Sequence, residues 1–281
     1  MKILILGGSG MLGHKLYHKL KESYDVKVTI RGSYKDIAQY NIFQPEDVRE
    51  DVDANYFDSI IRTLASFKPD VVINCIGLVK QIPISGDPLS AISINTLLPH
   101  RLSLIAASSK IRLIHISTDC VFSGKKGNYV ESDISDAEDL YGRTKYLGEV
   151  NYGPHTLTIR TSIVGLEYHS ANGLISWFLN QTKSIEGYKK AIFSGFTTIE
   201  LAKIFSEFII PNDTLSGIYH LSTNPISKFE LLHLVKEVFK KDIEIISNEK
   251  YICDRSLDST RFKKVTGYVA PEWKTLISNL K

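Results

Sequence analysis

The chain has 281 residues, 43% hydrophobic and 23% charged, enough to bury a sizeable core and ordinary for a globular protein. Its 34 basic and 31 acidic residues leave a net charge of +3, too small to point to nucleic acid or a membrane surface as a partner. Three scattered cysteines without a CxxC pair argue against a disulfide framework or a metal site, no apolar run reaches the ~18 residues of a membrane span, and a cytoplasmic protein is expected.

The first apolar run, 2–6, is too short for a signal peptide and reads as a buried strand. A helical pattern over 11–20 and a strand over 26–30 follow, then a polar stretch, 33–50, that resists assignment. Helical spacing returns over 56–67, and Pro69-Asp70 turns the chain into a strand over 71–74. A helix over 89–108 precedes a strand over 111–117, and a glycine-bearing acidic loop leads to the YGRTK segment and a strand over 157–160. Strands alternating with helices predict an α/β fold with a doubly wound parallel sheet of Rossmann type, whose ligands gather at the carboxyl ends of the strands. Gly7, Asn74, Ser117 and Arg160 stand at those ends. Beyond 165 the alternation weakens. Helices over 173–183, 199–210 and 227–240, with short strands near 191–193 and 217–221, predict a smaller interleaved C-terminal substrate domain. The expected division is 1–165, joined by part of 190–222, and 166–281.

Gly7, Gly10 and Gly13 form a GxxGxxG turn between the first strand and first helix. Glycine there allows a tight turn, close approach of a pyrophosphate and close helix–strand packing, with the helix N-terminus facing the phosphates. Ser9, Met11 and Leu12 complete this cradle. At the end of the second strand, where a carboxylate would bind a ribose hydroxyl, stands Arg31, so NADP(H) is favoured over NAD(H). Asp51 and Val52 are expected against the adenine, and Cys75, Ile76 and Gly77 where small residues let the dinucleotide pass. No metal ligand set is visible.

Tyr141 and Lys145 are four residues apart, hence on one face of a helix. A phenol beside a fixed ammonium is expected to titrate below its usual value. Thr118, at the end of the preceding strand, can hold the other side of a carbonyl oxygen. These parts suit reduction or oxidation of a carbonyl.

The ordered motifs GGSGMLG, STDCVFSG, YGRTKYLGE and IRTSIVG resemble the extended short-chain dehydrogenase/reductases, and within them the dTDP-4-dehydrorhamnose reductase branch. The likeness covers most of the chain and continues weakly through GIYHLS and DRSLDSTRFKKVTGY. It implies that Tyr141 protonates a ketone oxygen, Lys145 binds the nicotinamide ribose, and Thr118 donates to the same oxygen. The implied activity is NADPH-dependent reduction of a nucleotide-activated 4-keto-6-deoxy sugar for surface polysaccharide synthesis. The sugar is of the dTDP-4-dehydro-L-rhamnose or UDP-2-acetamido-2,6-dideoxy-hexos-4-ulose type. The resemblance also sets Lys80 and Gln81 beside the sugar, Asn172 and Trp177 near the nucleotide, and Arg255 at the diphosphate. Related 4,6-dehydratases carry Asp-Glu after the threonine; here Asp119 is followed by Cys120, which disfavours dehydration. Cys120 leaves open a 3,5-epimerase and reductase with His169 as partner. A non-catalytic dinucleotide-binding regulatory subunit is the other alternative, and a homodimer is an open option.

Overall fold

The computed structural model describes residues 1–80, 86–168 and 172–281. Its centre is a seven-stranded parallel sheet: β1 (Lys2–Leu6), β2 (Asp25–Thr29), β3 (Val48–Arg49), β4 (Val71–Asn74), β5 (Arg112–Thr118), β6 (Thr156–Thr161) and the strand Gly217–His220. From one edge the order is Gly217–His220, β6, β5, β4, β1, β2, β3. The winding reverses between β1 and β4, so a crevice opens at the carboxyl ends of these two strands.

Burial on both faces explains why the inner strands read as continuous apolar runs. Ile3, Ile5, Val28, Ile73, Ile114 and Ile159 point into one layer, with Leu16 and Leu20 of α1 (Gly13–Lys21). Phe196, Leu201, Phe205, Leu221 and Phe262, from the second half of the chain, fill the same layer. Leu4, Leu6, Val72 and Leu113 point the other way, against Ile60 and Leu64 of α2 (Phe57–Phe67) and against Leu102 and Ala106. The expected helix over 89–108 is three joined segments: α3 (Pro88–Ala91), a π-helical turn (Ile92–Leu97) and α4 (Leu98–Ser109). The polar stretch that resisted assignment holds β3, a two-residue strand paired to Val28 and Thr29, too short for an alternation to show.

A second apolar cluster gathers Ile175, Phe178, Phe193, Leu231, Leu232, Val235, Trp273 and Ile277. Around it Ile185–Tyr188 pairs with Ile245–Asn248, and Ala191–Phe193 pairs with both Ile226–Ser227 and Cys253–Asp254. The helix expected over 173–183 covers only Leu174–Leu179, because the chain must extend by Ile185 to enter its strand. Ser227 begins the helix Lys228–Phe239 with a capping box closed by Glu230. Among the described residues no helix is long and apolar enough to cross a membrane.

Candidate active site

The glycine turn sits on β1 and β2 through Gly7 N donating to Thr29 Oγ1 at 3.1 Å and Gly8 N to the Thr29 carbonyl at 2.9 Å. Gly7 takes a φ of +81°, and a Cβ on Gly13 would lie 2.3 Å from the Gly7 carbonyl oxygen. Gly8, outside the spaced triplet, is as constrained: its Cβ would stand 2.5 Å from that of Val28. Sequence spacing missed it, although the GG doublet was a signal. This cradle fits a pyrophosphate, since glycines leave its backbone bare and there is no room for a side chain at Gly8 or Gly13. Ser9, Gly10, Met11 and Leu12 lie in the same turn. Tyr168, which no motif announced, brings its phenol beside Ser9 and sets its ring edge-on to His14, centroids 5.3 Å apart.

Arg31 is exposed just beyond β2. Its loop is tied by Glu50, whose carboxylate accepts from Ser33 Oγ at 3.1 Å and from the Tyr34 amide. Asp51 is exposed and left-handed, with φ +54°, while Val52 turns its side chain into the core and donates its amide to the Ile30 carbonyl. Arg31 and Asp51 therefore flank one rim of the crevice.

At the other rim, α5 (Leu140–Leu147) carries Tyr141 and Lys145. Asp139 caps it by accepting from Gly142 N at 2.8 Å, and is in turn held by Lys80 Nζ at 2.5 Å. Thr118, 7% exposed, ends β5 with its hydroxyl within reach of the Tyr141 phenol and accepting from Cys120 N at 3.1 Å. Lys145 is buried, its Nζ donating to the Ile116 carbonyl at 2.7 Å. Burial draws this ammonium down to about 8, and the Glu149 carboxylate opposes that shift. Tyr141 departs from expectation. Burial pushes its phenol above the usual tyrosine value, Cys120 adds to the rise, and the Thr118 hydrogen bond only moderates it. The reason is geometric: the Lys145 ammonium is directed at the strand backbone, and loss of hydration governs the phenol.

Cys75, Ile76 and Gly77 lead away from β4 beneath this pair. A Cβ on Gly77 would lie 3.8 Å from Lys145 Nζ and 3.5 Å from Asn95 Oδ1. Burial raises the Cys75 thiol to about 12, as suits a packing residue. Asn95, in the π-helical turn and 1% exposed, is a functional candidate that sequence reading missed. It accepts from Leu78 N at 2.8 Å and donates to the Leu78 carbonyl and Thr144 Oγ1, joining the loop after β4 to α5. Its only signal would have been a polar residue at an apolar helical position.

Arg255 reaches the same place from the second half of the chain. Its Nε donates to the Phe122 carbonyl at 2.8 Å, and Nη1 lies 3.7 Å from Cys120 Sγ. Burial lifts the Cys120 thiol to about 12, Asp119 adds to the rise and Arg255 opposes it. Thr118, Cys120, Tyr141, Lys145 and Arg255 are thus brought together, with Lys80 at the N-terminus of α5. Asn172 and Trp177 lie apart from them, lining a cavity of about 530 Å³ with Leu174, Ile185, Tyr188 and Lys228. Gln81 and His169 lie outside the described residues.

The family model of the RmlD substrate binding domain matches residues 1–280. A dTDP-4-dehydrorhamnose reductase of Aggregatibacter actinomycetemcomitans is 25% identical over 100% of this chain and 98% of its own. The methionine adenosyltransferase 2 subunit beta of Bos taurus is 29% identical over 85% of this chain and 72% of its own. The crystal structure of dTDP-4-dehydrorhamnose reductase from Bacillus anthracis in complex with NADP superposes with a TM-score of 0.81, at 19% identity, over 99% of this chain and 98% of that one. A sheet wound in this order, a glycine cradle at its switch point and a match running from Met1 to residue 280 place the chain in the RmlD substrate-binding domain family.

Proposed function

We propose that the protein reduces the 4-keto group of a nucleotide-activated 4-keto-6-deoxy sugar with NADPH, in the making of surface polysaccharide precursors. The observation that carries this reading is Tyr141 held by Thr118 at the carboxyl end of β5, one helical turn from Lys145 and across the crevice from the glycine cradle. The reductase from Aggregatibacter actinomycetemcomitans, matched end to end, supports the substrate class.

The residues of the cradle hold the pyrophosphate of the dinucleotide, and Lys145 its nicotinamide ribose. The bound dinucleotide supplies the hydride. Tyr141 supplies the proton: its raised pKa keeps the phenol protonated at neutral pH, ready to donate to the oxygen on which negative charge develops. Thr118 donates a second hydrogen bond to that oxygen. Arg31, exposed at the rim, offers a guanidinium to a 2′-phosphate, which supports NADP over NAD, as does the NADP in the Bacillus anthracis reductase. Asp51 borders the adenine, and Val52, its side chain in the core, anchors that stretch of backbone through its amide to Ile30. On the substrate side, Arg255 meets the diphosphate, Lys80 the sugar, and the cavity of Asn172 and Trp177 the nucleoside. The first substrate to test is dTDP-4-dehydro-L-rhamnose, and UDP-2-acetamido-2,6-dideoxy-hexos-4-ulose the second.

Epimerisation through Cys120 is not favoured, because a thiol raised to about 12 stays neutral and is a poor carbon base. Residues 1–165 with part of 190–222 act as the dinucleotide half, and the remainder of 166–281 as the substrate half. Loss of NADPH absorbance with each ketosugar, for the native protein and Tyr141→Phe, tests the reading. We expect kcat to fall by about 10²–10⁴ in the variant, the range for loss of a general acid. Equal rates for the two proteins would remove Tyr141 from the chemistry.

A further inference from the structure

Three residues at successive four-residue intervals, Tyr141, Lys145 and Glu149, each meet one of three consecutive residues of β5. The Thr118 hydroxyl lies at the phenol, the Ile116 carbonyl accepts from Lys145 Nζ at 2.7 Å, and Ser117 Oγ donates to Glu149 Oε1 at 2.7 Å. Glu149 follows α5 and is 8% exposed. Arg160 of β6 clamps it in bidentate fashion, Nε to Oε1 at 2.8 Å and Nη2 to Oε2 at 2.7 Å. Arg160 in turn donates from Nη1 to His220 Nε2 at 3.2 Å and lies 5.1 Å above the Phe122 ring. The Phe122 carbonyl is the acceptor for Arg255.

We infer that Glu149 is a positioning residue for the reduction: clamped by Arg160, it fixes the register of α5 on β5, and so sets Tyr141 against Thr118 and holds Lys145 in place. An ion pair buried this deeply is costly to desolvate, and a hydrophobic pair would serve stability as well, so its presence at this seam points to placement. Glu149 also supplies the carboxylate that sustains the charge of Lys145. The other titratable groups facing Lys145 are Cys75 after β4 and His115 on β5, while Tyr141 lies one turn back on its own helix. Burial keeps that thiol and that imidazole neutral, so Glu149 is the balancing anion.

The inference rests on the proposed reduction and is tested apart from it. In Glu149→Gln we expect kcat to fall about tenfold or more, with the KM for the sugar little changed. The alkaline limb of the kcat profile should move down by about one pH unit, the low end for loss of a nearby opposite charge. Glu149→Asp should restore the limb but not the full rate. Fluorescence titration of NADPH binding against pH gives a second readout, and the same displacement is expected there. Should Glu149→Gln fail to fold, Ser117→Ala keeps the ion pair and cuts the tie to β5; it should lower kcat severalfold without moving the limb. An unshifted profile in folded Glu149→Gln, or native kcat in Ser117→Ala, overturns the inference. Native activity in Tyr141→Phe would instead overturn the reduction itself.

Discussion

At the scale of single residues, the site is assembled from groups that burial has pulled away from their solution behaviour. Tyr141 is raised and Lys145 lowered, both chiefly by loss of water, so the phenol keeps its proton while Glu149 opposes the loss of charge on the amine. The YxxxK spacing made the pair legible in the sequence, because four residues define a helix face. The direction of the tyrosine shift was not legible, since it depends on where Lys145 Nζ is drawn, and the Ile116 carbonyl is a backbone group. Arg31 is the converse case: its place at the end of β2 was legible, and its exposure leaves it ready for an anion. Arg31→Ala should raise the KM for NADPH about tenfold to a hundredfold, the worth of one charged hydrogen bond, and leave that for NADH nearly unchanged. Parallel initial-rate measurements with both cofactors decide it; equal changes would remove the arginine from phosphate recognition.

The element that matters most is α5, and what sets it is a close approach between backbones. A Cβ on Gly148 would lie 1.9 Å from the Asn95 carbonyl oxygen, so the helix carrying Tyr141 and Lys145 seats directly on the π-helical turn. Gly148→Ala should therefore lift α5 from its seat, destabilise the protein by about 1–3 kcal/mol as other overpacked sites do, and lower kcat more than it raises the KM for NADPH. Thermal melting combined with steady-state kinetics checks both halves, and a kcat equal to native would show that α5 is seated by other contacts. Apart from β3, the strands up to Thr161 were readable as continuous apolar runs, which follow from burial on both faces of the sheet. Beyond it, Ile185–Tyr188 and Ile245–Asn248 are four-residue strands of mixed character, paired among the described residues with each other. Elements that short carry no period, and their pairing partner lies some 60 residues away.

Across the whole molecule, the central sheet carries polar groups sealed from water. His220, in the edge strand, takes Arg160 on one nitrogen and the Tyr129 carbonyl on the other, and burial beside that arginine lowers its pKa to about 3. His115, in the middle of the sheet, meets Asn74 through Nδ1 and is lowered well below the histidine norm by burial. Both are neutral when folded and take up a proton near pH ~6.5 when unfolded, so the unfolded state binds more protons as pH falls below that value. Their contribution to stability is therefore complete above pH ~6.5 and declines on acidification, by about 1.4 kcal/mol per pH unit for each histidine. Denaturant unfolding followed from pH ~7.5 down to ~5 should show this slope before carboxylates begin to titrate; half the slope would mean that one imidazole stays hydrated in the folded protein, and a flat profile that both do.

The π-helical turn contains one residue more than an α-helix would need to cover the same rise. That surplus breaks the regular phase between α3 and α4 and is where Asn95 leaves the apolar row to span Leu78 and Thr144. Deleting a single amino acid between Ile92 and Leu97 should shift the phase of α3 against α4 and rotate the asparagine out of its bridge. The seat of α5 thus includes a local insertion that ordinary helix energetics would discard.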